Sequence, residues 1–536
     1  MTVGVCGMRH RVRAVALATA TLLVAAGAAG CSGDGGDGAD DGRNSGSPSS
    51  AASSPGVTPS GDPALPAALT GQKPDWKRCE APVEAYGSSA QVPGGQWQCA
   101  TVEAPLDYGD PAGETIGIAL IRSKAKDPEK RIGSLLFNFG GPGGSGVAAL
   151  PGAAEGYGSL HSRYDLVGFD PRGVAASSAV VCRGDKETAR SLGLDATPDT
   201  AAEERTFMAD AASFGKGCAE RSGRVVPHVG TANAARDMDL IRHVLGDGEL
   251  HYLGFSYGTE LGGVYAHLYP QNVGRLVLDA VVDPSADYAG HSRNQTRGFQ
   301  RALENYFKSR GIGAEEGTGR IVKLLQQLDR RPMPTADGRR LTEGLALTGI
   351  IQPLYSQSSW KYLTQALDAA EQGDGTGLLL MADSYNDRDE NGRYGTQSHA
   401  QRAISCADAK GRVSPAEVRS RHLAEFTDVS PVFGPYLAWD LAGWCADWPV
   451  PGEWETPEVS ADGAAPILVI GTTGDPATPY EGAKKMADEL GKGVGVLITN
   501  KGEGHGAYGS GKCVTETVDA YLLEGKVPRS GKTCTS

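Results

Sequence analysis

A serine, an aspartate and a histidine in three separate glycine-containing segments could together perform nucleophilic catalysis. Ser256 lies in the sequence Gly254-Phe-Ser-Tyr-Gly258, which has the spacing G-x-S-x-G. Asp475 follows an apolar stretch, and His505 lies between two glycines later in the chain. A serine hydroxyl is a weak nucleophile until a base accepts its proton and a third group orients that base. These side chains predict a triad with Ser256 as nucleophile, His505 as base and Asp475 as acid.

The segments around Ser256 match a strand, a tight turn and a helix in that order. The apolar residues 250–253 predict the end of a buried strand, and helical periodicity continues from the turn to Pro270. Small neighbours let a serine occupy a strained turn, and the helix that follows points free N–H groups toward the reacting oxygen. A chance G-x-S-x-G in a glycine-rich chain is the alternative, and the flanking strand and helix argue against it.

Two members of the predicted triad have competitors. Asp283 is an alternative acid, because it also ends a predicted strand, the next one after the serine turn. Three other histidines are weaker candidates for the base. His251 precedes the predicted serine strand, His267 lies on the helix after the serine, and His291 falls in the later insertion. The order of serine, acid and histidine along the chain is the order found in α/β hydrolases.

A glycine cluster at residues 140–146 follows the predicted strand 134–139. Its spacing fits neither a dinucleotide-binding loop nor a Walker loop, and no Lys-Ser/Thr pair follows it. It does fit the glycine-rich loop that supplies a backbone N–H group to an oxyanion hole. We expect the amides of Gly141 and Tyr257 to bind the developing oxyanion, and we expect no metal and no organic cofactor.

Strand and helix patterns alternate on both sides of a long helical segment. A strand and tight turn are predicted over residues 164–173, and apolar strands over 275–283 and 466–471, whereas the residues from about 284 to 451 show helical periodicity. This alternation predicts the α/β-hydrolase fold, with a mostly parallel sheet and a helical cap inserted into it. We expect a first part of the core over 71–284, a mainly helical cap over 285–450, and the C-terminal part of the core, with the acid and the histidine, over 451–536.

The N-terminal seventy residues have a different composition from the rest. Residues 1–30 combine arginines, a short apolar run and small residues, which predicts a signal peptide too short to span a membrane. Cys31 follows at a position that resembles the lipidated cysteine of bacterial lipoproteins, with simple cleavage and secretion as the alternative. Residues 31–70 are rich in Gly, Ser, Asp and Pro and predict a flexible tether. We expect an extracytoplasmic protein that is lipid-anchored to the cell membrane or secreted.

The chain is acidic, with a formal net charge of −13 at pH 7. This charge argues against nucleic acid or an anionic membrane surface as a partner, so we expect membrane contact only through a lipid anchor. We also expect a monomer. Beyond the signal peptide and Cys31, an even number of cysteines remains, which in an exported chain predicts disulfides. Neighbours in sequence give the simplest pairing, namely Cys79 with Cys99, Cys182 with Cys218, Cys406 with Cys445, and Cys513 with Cys534.

Six motifs together resemble one α/β-hydrolase family, that of the actinobacterial tripeptidyl aminopeptidases, which is related to the prolyl iminopeptidases. They are Val102-Glu-Ala-Pro-Leu-Asp-Tyr108, Asn138-Phe-Gly-Gly-Pro-Gly-Gly-Ser-Gly146, Phe169-Asp-Pro-Arg-Gly173, Gly254-Phe-Ser-Tyr-Gly-Thr259, Gly474-Asp-Pro-Ala-Thr-Pro479 and Gly504-His-Gly506. The resemblance spans roughly Cys79 to Cys534. It implies an exported serine exopeptidase that releases short peptides or single residues from free N-termini. Glu260 departs from the aromatic residue that the resemblance predicts.

An exopeptidase of this kind must bind a substrate ammonium group inside a closed cleft. We therefore expect the cap to cover the triad, and an Asp or Glu of the cap, or Glu260, to face the cavity, since an unpaired buried ammonium is costly. Glu260 could equally pair with Arg172. A carboxylesterase or lipase of the same fold is the main alternative function, and a non-catalytic surface lipoprotein that binds ligands is another.

Overall fold

The computed structural model describes residues 63–80 and 93–535. The predicted signal peptide, the lipidation site Cys31 and most of the predicted tether lie outside these residues. None of the helices within them is both long and apolar enough to cross a bilayer.

One large sheet occupies the centre of the described structure. Its strands are β1 (Lys77–Arg78), β2 (Trp97–Pro105), β3 (Thr115–Ser123), β4 (Gly133–Asn138), β5 (Tyr164–Phe169), β6 (Leu250–Phe255) and β7 (Val273–Asp279); a separate two-stranded hairpin, β8 (Met333–Pro334) and β9 (Arg340–Leu341), follows, and β10 (Ile467–Gly474), β11 (Gly495–Glu503) and β12 (Lys532–Thr535) complete the sheet. The strand order is β1-β2-β3-β5-β4-β6-β7-β10-β11-β12. The β1–β2, β2–β3 and β3–β5 pairs are antiparallel and the others are parallel.

The central strands are buried along their whole length. Every residue of β4, β5 and β6 is buried, as expected of parallel strands that have helices on both faces. The helices before the cap are α1 (Ala67–Thr70), α2 (Gly146–Ala153), α3 (Asp185–Leu192), α4 (Ala201–Ser222), α5 (Thr231–Val244) and α6 (Tyr257–Leu268). This architecture is the predicted α/β-hydrolase fold.

The segment between β7 and β10 is mainly helical. Its helices are α7 (Tyr288–Ser309), α8 (Ala314–Arg330), α9 (Glu343–Leu354), α10 (Trp360–Glu371), α11 (Thr376–Tyr385), α12 (Gln397–Asp408), α13 (Pro415–Glu417), α14 (Leu423–Val429) and α15 (Gly434–Gly443). Apolar side chains at helical spacing, such as Phe299 and Leu303 on α7, build a hydrophobic core of its own. Two helices of the main domain, α16 (Tyr480–Glu489) and α17 (Lys512–Glu524), follow β10 and β11.

The strand predicted over residues 275–283 is shorter than expected. It ends at Asp279, because Ala280 has φ +59° and turns the chain out of the sheet. Asp283 therefore does not end a strand. Its carboxylate accepts hydrogen bonds from the backbone N–H and the hydroxyl of Ser285 and from the Asn294 amide, which is the role of a turn-forming residue.

The sulfur atoms of the eight cysteines are joined in the four pairs of sequence neighbours given above. The Cys406–Cys445 bond joins α12 to the segment that follows α15. The Cys513–Cys534 bond joins the start of α17 to β12 at the edge of the sheet. The Cys406–Cys445 bond thus lies within the inserted helical segment, and the Cys513–Cys534 bond links the C-terminal strand to α17.

Candidate active site

Ser256 occupies the turn between β6 and α6. Its φ and ψ angles are +56° and −124°, a strained conformation for a residue with a side chain. The backbone on both sides fixes the turn, because the Ser256 N–H donates to the Asp279 carbonyl at 3.0 Å and the Thr259 N–H donates to the Ser256 carbonyl at 2.8 Å. The predicted strand, tight turn and helix are therefore present, with the serine at the carboxyl end of a central strand.

Both glycines of the G-x-S-x-G motif are required by close packing. A Cβ on Gly254 would lie 2.4 Å from the Gly258 carbonyl oxygen, and a Cβ on Gly258 would lie 2.8 Å from the Asn138 carbonyl oxygen. Real Cβ atoms do not approach oxygen so closely, so any larger residue would displace the turn. The spacing of the motif thus follows from the local geometry around Ser256.

Asp475 and His505 follow the neighbouring strands β10 and β11, and their side chains are in contact. His505 Nδ1 lies 2.9 Å from Asp475 Oδ1 and 3.0 Å from Oδ2. The Asp475 carboxylate is fully buried and also accepts from the backbone N–H groups of Ala477 and Thr478, both at 2.9 Å. With the Nδ1 proton directed at Asp475, Nε2 of His505 is left to accept a proton from a nucleophile.

The charge around His505 favours its protonated form. Burial by itself lowers the pKa of His505, but the charge and the hydrogen bond of Asp475, together with the charge of Asp279, raise that pKa above its ordinary value. A positively charged imidazole is the form that the base takes after it accepts the serine proton. The site is therefore arranged to stabilise that state.

The glycine cluster after β4 lies against the serine turn. A Cβ on Gly140 would lie 2.8 Å from the Cβ of Ser256 and 3.3 Å from the Tyr257 nitrogen. In the described part of the chain, neither the Gly141 N–H nor the Tyr257 N–H has a hydrogen-bond acceptor. The loop of residues 140–146, called the oxyanion loop below, therefore lies against the turn that carries Tyr257, and the Gly141 and Tyr257 amides are free to donate to a ligand.

The motif Phe169-Asp-Pro-Arg-Gly173 binds the end of the glycine loop 140–146 through Asp170. The Asp170 carboxylate accepts a 2.5 Å hydrogen bond from the Ser145 hydroxyl and a 3.1 Å bond from the Val147 N–H, which holds the end of the glycine cluster. Burial raises the pKa of Asp170 to about 6. The sequence alone assigns this motif no structural role, and in the structure it positions the oxyanion loop.

Arg172 does not pair with Glu260. Its guanidinium group is fully buried and binds both carboxylate oxygens of Asp237, at 2.6 and 2.7 Å, together with backbone carbonyls. The proposed structural role of Glu260 as the partner of Arg172 is therefore wrong. Asp237 on α5 is already a complete bidentate partner for that arginine.

Glu260 is half-buried on α6, four residues after Ser256, and has no hydrogen-bond or ion-pair partner among the described residues. Burial raises its pKa to about 7. Burial and the charge of Glu260 in turn raise the pKa of Asp408, whose carboxylate accepts from the N–H and the hydroxyl of Thr231, both at 2.7 Å. Thr231 also shares a 2.6 Å hydrogen bond with the Tyr257 hydroxyl, so this acidic pair is linked to the first residue of α6.

The helices between β7 and β10 contact the candidate site at two points. The Tyr355 carbonyl, just after α9, accepts a 2.9 Å hydrogen bond from the backbone N–H of His505. The Tyr355 ring lies edge-on to the His505 ring with centroids 5.3 Å apart. On the other side, the Gln401 side chain on α12 donates to the Gly141 carbonyl at 3.2 Å. The inserted segment therefore touches both the base and the oxyanion loop.

The competing histidines are placed elsewhere. His251 lies within β6, the His267 ring N–H donates to the Ser460 carbonyl at the far end of α6, and His291 lies on α7. In the described residues, one group of acidic side chains is close enough to surround a cation, namely Asp195, Asp329 and Glu343. A cavity of about 730 Å³ beside these acidic residues contains none of the three triad candidates.

A mostly parallel sheet with a serine elbow, an acid and a histidine at the carboxyl ends of β6, β10 and β11 defines an α/β hydrolase. Comparison with known proteins agrees. The family model of TAP-like proteins matches residues 430–534. The chain is 36% identical to serine protease Hip1 of Mycobacterium tuberculosis over 87% of this chain and 91% of that protein.

Two further relatives are similar over most of their length. Carboxylesterase B of Mycobacterium tuberculosis is 34% identical, over 82% of this chain and 86% of that protein. The tripeptidyl aminopeptidase of Streptomyces lividans is 31% identical, over 82% of this chain and 83% of that protein. The chain therefore belongs to the TAP-like family of α/β hydrolases, and it is a serine hydrolase.

Proposed function

We propose that this serine hydrolase is an exported exopeptidase that releases short peptides or single residues from the free N-termini of peptide substrates. Ser256 would attack the peptide carbonyl and form an ester. His505 would accept the serine proton and then donate it to the leaving amine, with Asp475 holding its tautomer. The Gly141 and Tyr257 amides would bind the oxyanion. Water then hydrolyses the ester by the reverse sequence.

The observation that carries the exopeptidase proposal is the pair of contacts between the inserted helices and the site. Tyr355 contacts the base and Gln401 contacts the oxyanion loop, so the cap predicted over residues 285–450 borders the reacting groups on two sides. Such a border limits how much peptide can extend past the serine. An enzyme with this arrangement favours chain ends over internal bonds.

Glu260 is the proposed partner of the substrate ammonium group. It is acidic, half-buried, unpaired in the described residues and close enough to Asp408 to raise the pKa of that carboxyl group. An ammonium group beside these two carboxyls would lower both pKa values and offset their mutual repulsion. The names of two relatives, serine protease and tripeptidyl aminopeptidase, support peptides as substrates.

A carboxylesterase is the second candidate, because one relative with comparable coverage bears that name. Esterases and peptidases share the same triad chemistry, so the triad geometry does not separate them. Binding of a charged amine does separate them, since an ester substrate of an esterase has no ammonium group to pair.

The test compares a peptide p-nitroanilide that has a free N-terminus with its N-acetylated twin and with p-nitrophenyl esters at pH 7. We expect acetylation to lower kcat/KM at least tenfold, the equivalent of about 1.4 kcal/mol of lost pairing. Glu260→Gln should reduce this preference for the free amine. The matched control is Glu220→Gln on α4, whose side chain is 63% exposed and which should keep the preference.

Equal rates on the free and acetylated peptides would contradict the exopeptidase proposal and would favour an endopeptidase. Turnover of esters without turnover of either peptide would favour the esterase. A retained amine preference in Glu260→Gln would remove Glu260 from the role of ammonium partner.

Export is proposed from the sequence of residues 1–30 and from the four disulfides, which persist in oxidising compartments. Lipidation at Cys31 and a monomeric state complete the proposal. Metabolic labelling with a fatty-acid analogue, compared between the natural chain and Cys31→Ala, tests the lipid anchor. Absence of label on the natural chain would leave a secreted protein.

A further inference from the structure

Asp279 connects the serine turn with the histidine loop. It is the last residue of β7, the strand between the nucleophile strand β6 and the acid strand β10, and it is paired with Phe255 on one side and with Ile470 on the other. Its backbone carbonyl accepts the Ser256 N–H at 3.0 Å. One residue therefore lies at the point where the elements that carry the candidate triad come together.

The Asp279 side chain is fully buried and holds the segment that follows His505. Both carboxylate oxygens lie 3.0 Å from the Ala507 nitrogen, and Oδ2 lies 2.7 Å from the Tyr508 nitrogen. These two N–H groups are two and three residues after His505. Because buried N–H groups require acceptors, the carboxylate fixes the backbone of the loop that presents the base.

Burial and a few neighbouring groups determine the pKa of Asp279. Burial is the largest influence and raises the pKa of Asp279 to about 6; the N–H groups of Tyr508 and Ala507 lower it, Asp475 raises it and His505 lowers it. Burial and then the Asp279 carboxylate raise the pKa of Tyr157, whose ring stacks on the Tyr508 ring with centroids 5.7 Å apart. The carboxylate is therefore ionised at pH 8.

We infer that Asp279 is a positioning residue for the candidate base: it fixes the His505 loop against the serine turn and adds a second negative charge that stabilises the His505 imidazolium. This inference rests on the proposed hydrolase mechanism. It is independent of the exopeptidase specificity, because any ester or peptide substrate reports on the base. The nearby Asp283 has no such role, since its contacts are to Ser285 and Asn294.

The test is the pH profile of kcat/KM for Asp279→Asn and for the natural chain, on whichever substrate is turned over fastest. The amide keeps the size of the side chain and one acceptor oxygen but removes the charge. We expect kcat/KM at pH 8 to fall on the order of 10²-fold through misplacement of the base. Loss of a negative charge lowers the pKa of His505, so the acid limb should move to lower pH by on the order of one unit.

Asp279→Glu and Asp283→Asn are the companion variants. Asp279→Glu keeps the charge but displaces it, so activity should fall while the acid limb moves less than in Asp279→Asn. Asp283→Asn should leave the rate and the limb unchanged. If Asp279→Asn does not fold, titration of the His505 ring by NMR in Asp279→Glu and in Ser256→Ala provides the same comparison.

A lower rate for Asp279→Asn with an unmoved acid limb would assign Asp279 a purely structural role and would overturn the inference. An unchanged rate and limb would overturn it as well. A fully active Ser256→Ala protein would instead overturn the hydrolase mechanism itself, so the two failures are distinguishable.

Discussion

Gly140 lies directly against Ser256, so that a Cβ on the glycine would come within 2.8 Å of the Cβ of the serine. The same Cβ would lie 2.7 Å from the Phe255 carbonyl oxygen, and the glycine has φ +88°. The oxyanion loop and the nucleophile turn are therefore packed without space for one additional carbon atom. A substitution in the oxyanion loop should therefore displace the serine turn, and a substitution in the serine turn should displace the loop.

Gly140→Ala should abolish turnover, because the added methyl group pushes the glycine loop away from the serine turn. Gly246→Ala is the matched control, since Gly246 also has a positive φ, +79°, but has nothing within 4 Å of its Cβ position. Both variants bear a backbone strain of about 1–2 kcal/mol. We expect this strain to lower the thermal midpoint of both variants by a similar small amount. Only Gly140→Ala should lower the midpoint further and lose activity. An active Gly140→Ala enzyme would contradict this packing.

Ser256→Ala should abolish turnover and leave the fold intact. Removal of the nucleophile in a triad hydrolase typically costs roughly 10⁶-fold in kcat, with a small residual rate from the oxyanion hole. The thermal midpoint should change little, because alanine keeps the Cβ and the strained φ of Ser256 and loses only the hydroxyl. Steady-state kinetics and differential scanning calorimetry provide the two measurements. Substantial activity in this variant would show that another residue is the nucleophile.

Asp475→Asn should lower kcat by on the order of 10⁴-fold, because an amide favours the wrong tautomer of His505. Asp283→Asn is the control, since Asp283 bonds to Ser285 and Asn294 and not to the histidine. It should keep nearly full activity. The opposite result for the two aspartates would assign the acid to Asp283 after all.

Glu260 should make the protein less stable as the pH rises from 5 to 8. Its pKa is raised from 4.5 to about 7 in the folded protein, so its contribution to stability is fully present below pH 4.5 and is lost as the pH rises through 7. Glu260→Gln does not lose a proton and should gain on the order of 1–3 kcal/mol relative to the natural chain between these pH values. Urea unfolding at both pH values measures this gain, which Glu220→Gln should not show.

The Cys406–Cys445 bond should matter more for activity than the Cys513–Cys534 bond. The two bonds close loops of 39 and 21 residues, so the entropic model gives them stabilising effects that differ by only about 0.5 kcal/mol. Replacing either pair by alanine should lower the free energy of unfolding by about 2–5 kcal/mol. Only the first pair joins α12, which bears Gln401 and Asp408, so only its removal should also raise KM. Equal effects on KM would contradict this division.

The sequence was most informative where chemistry and geometry demand the same residue. Gly254 and Gly258 are fixed by backbone atoms that approach within 3 Å, and this requirement is visible as the spacing around Ser256. The glycine cluster and the apolar parallel strands could also be predicted from the sequence. The strands are buried on both faces, so they form mostly apolar runs such as β4 and β6.

Elements whose signals are weaker were missed. The strand β12 is a four-residue edge strand with one buried residue, and α4 has few buried apolar positions. The capping box at Thr200 and Glu203 was the signal that could have located the start of α4. Asp279 lies inside an apolar run that continues in the sequence to Asp283, and the left-handed Ala280 that ends β7 has no sequence signature.

The hydrogen bond from the His505 backbone N–H to the Tyr355 carbonyl couples the position of the base to the end of α9. A change that displaces Tyr355 removes both the acceptor of the His505 amide and the ring that lies edge-on to the imidazole. Substitutions in the inserted helices can therefore lower the rate of catalysis without altering Ser256, Asp475 or His505.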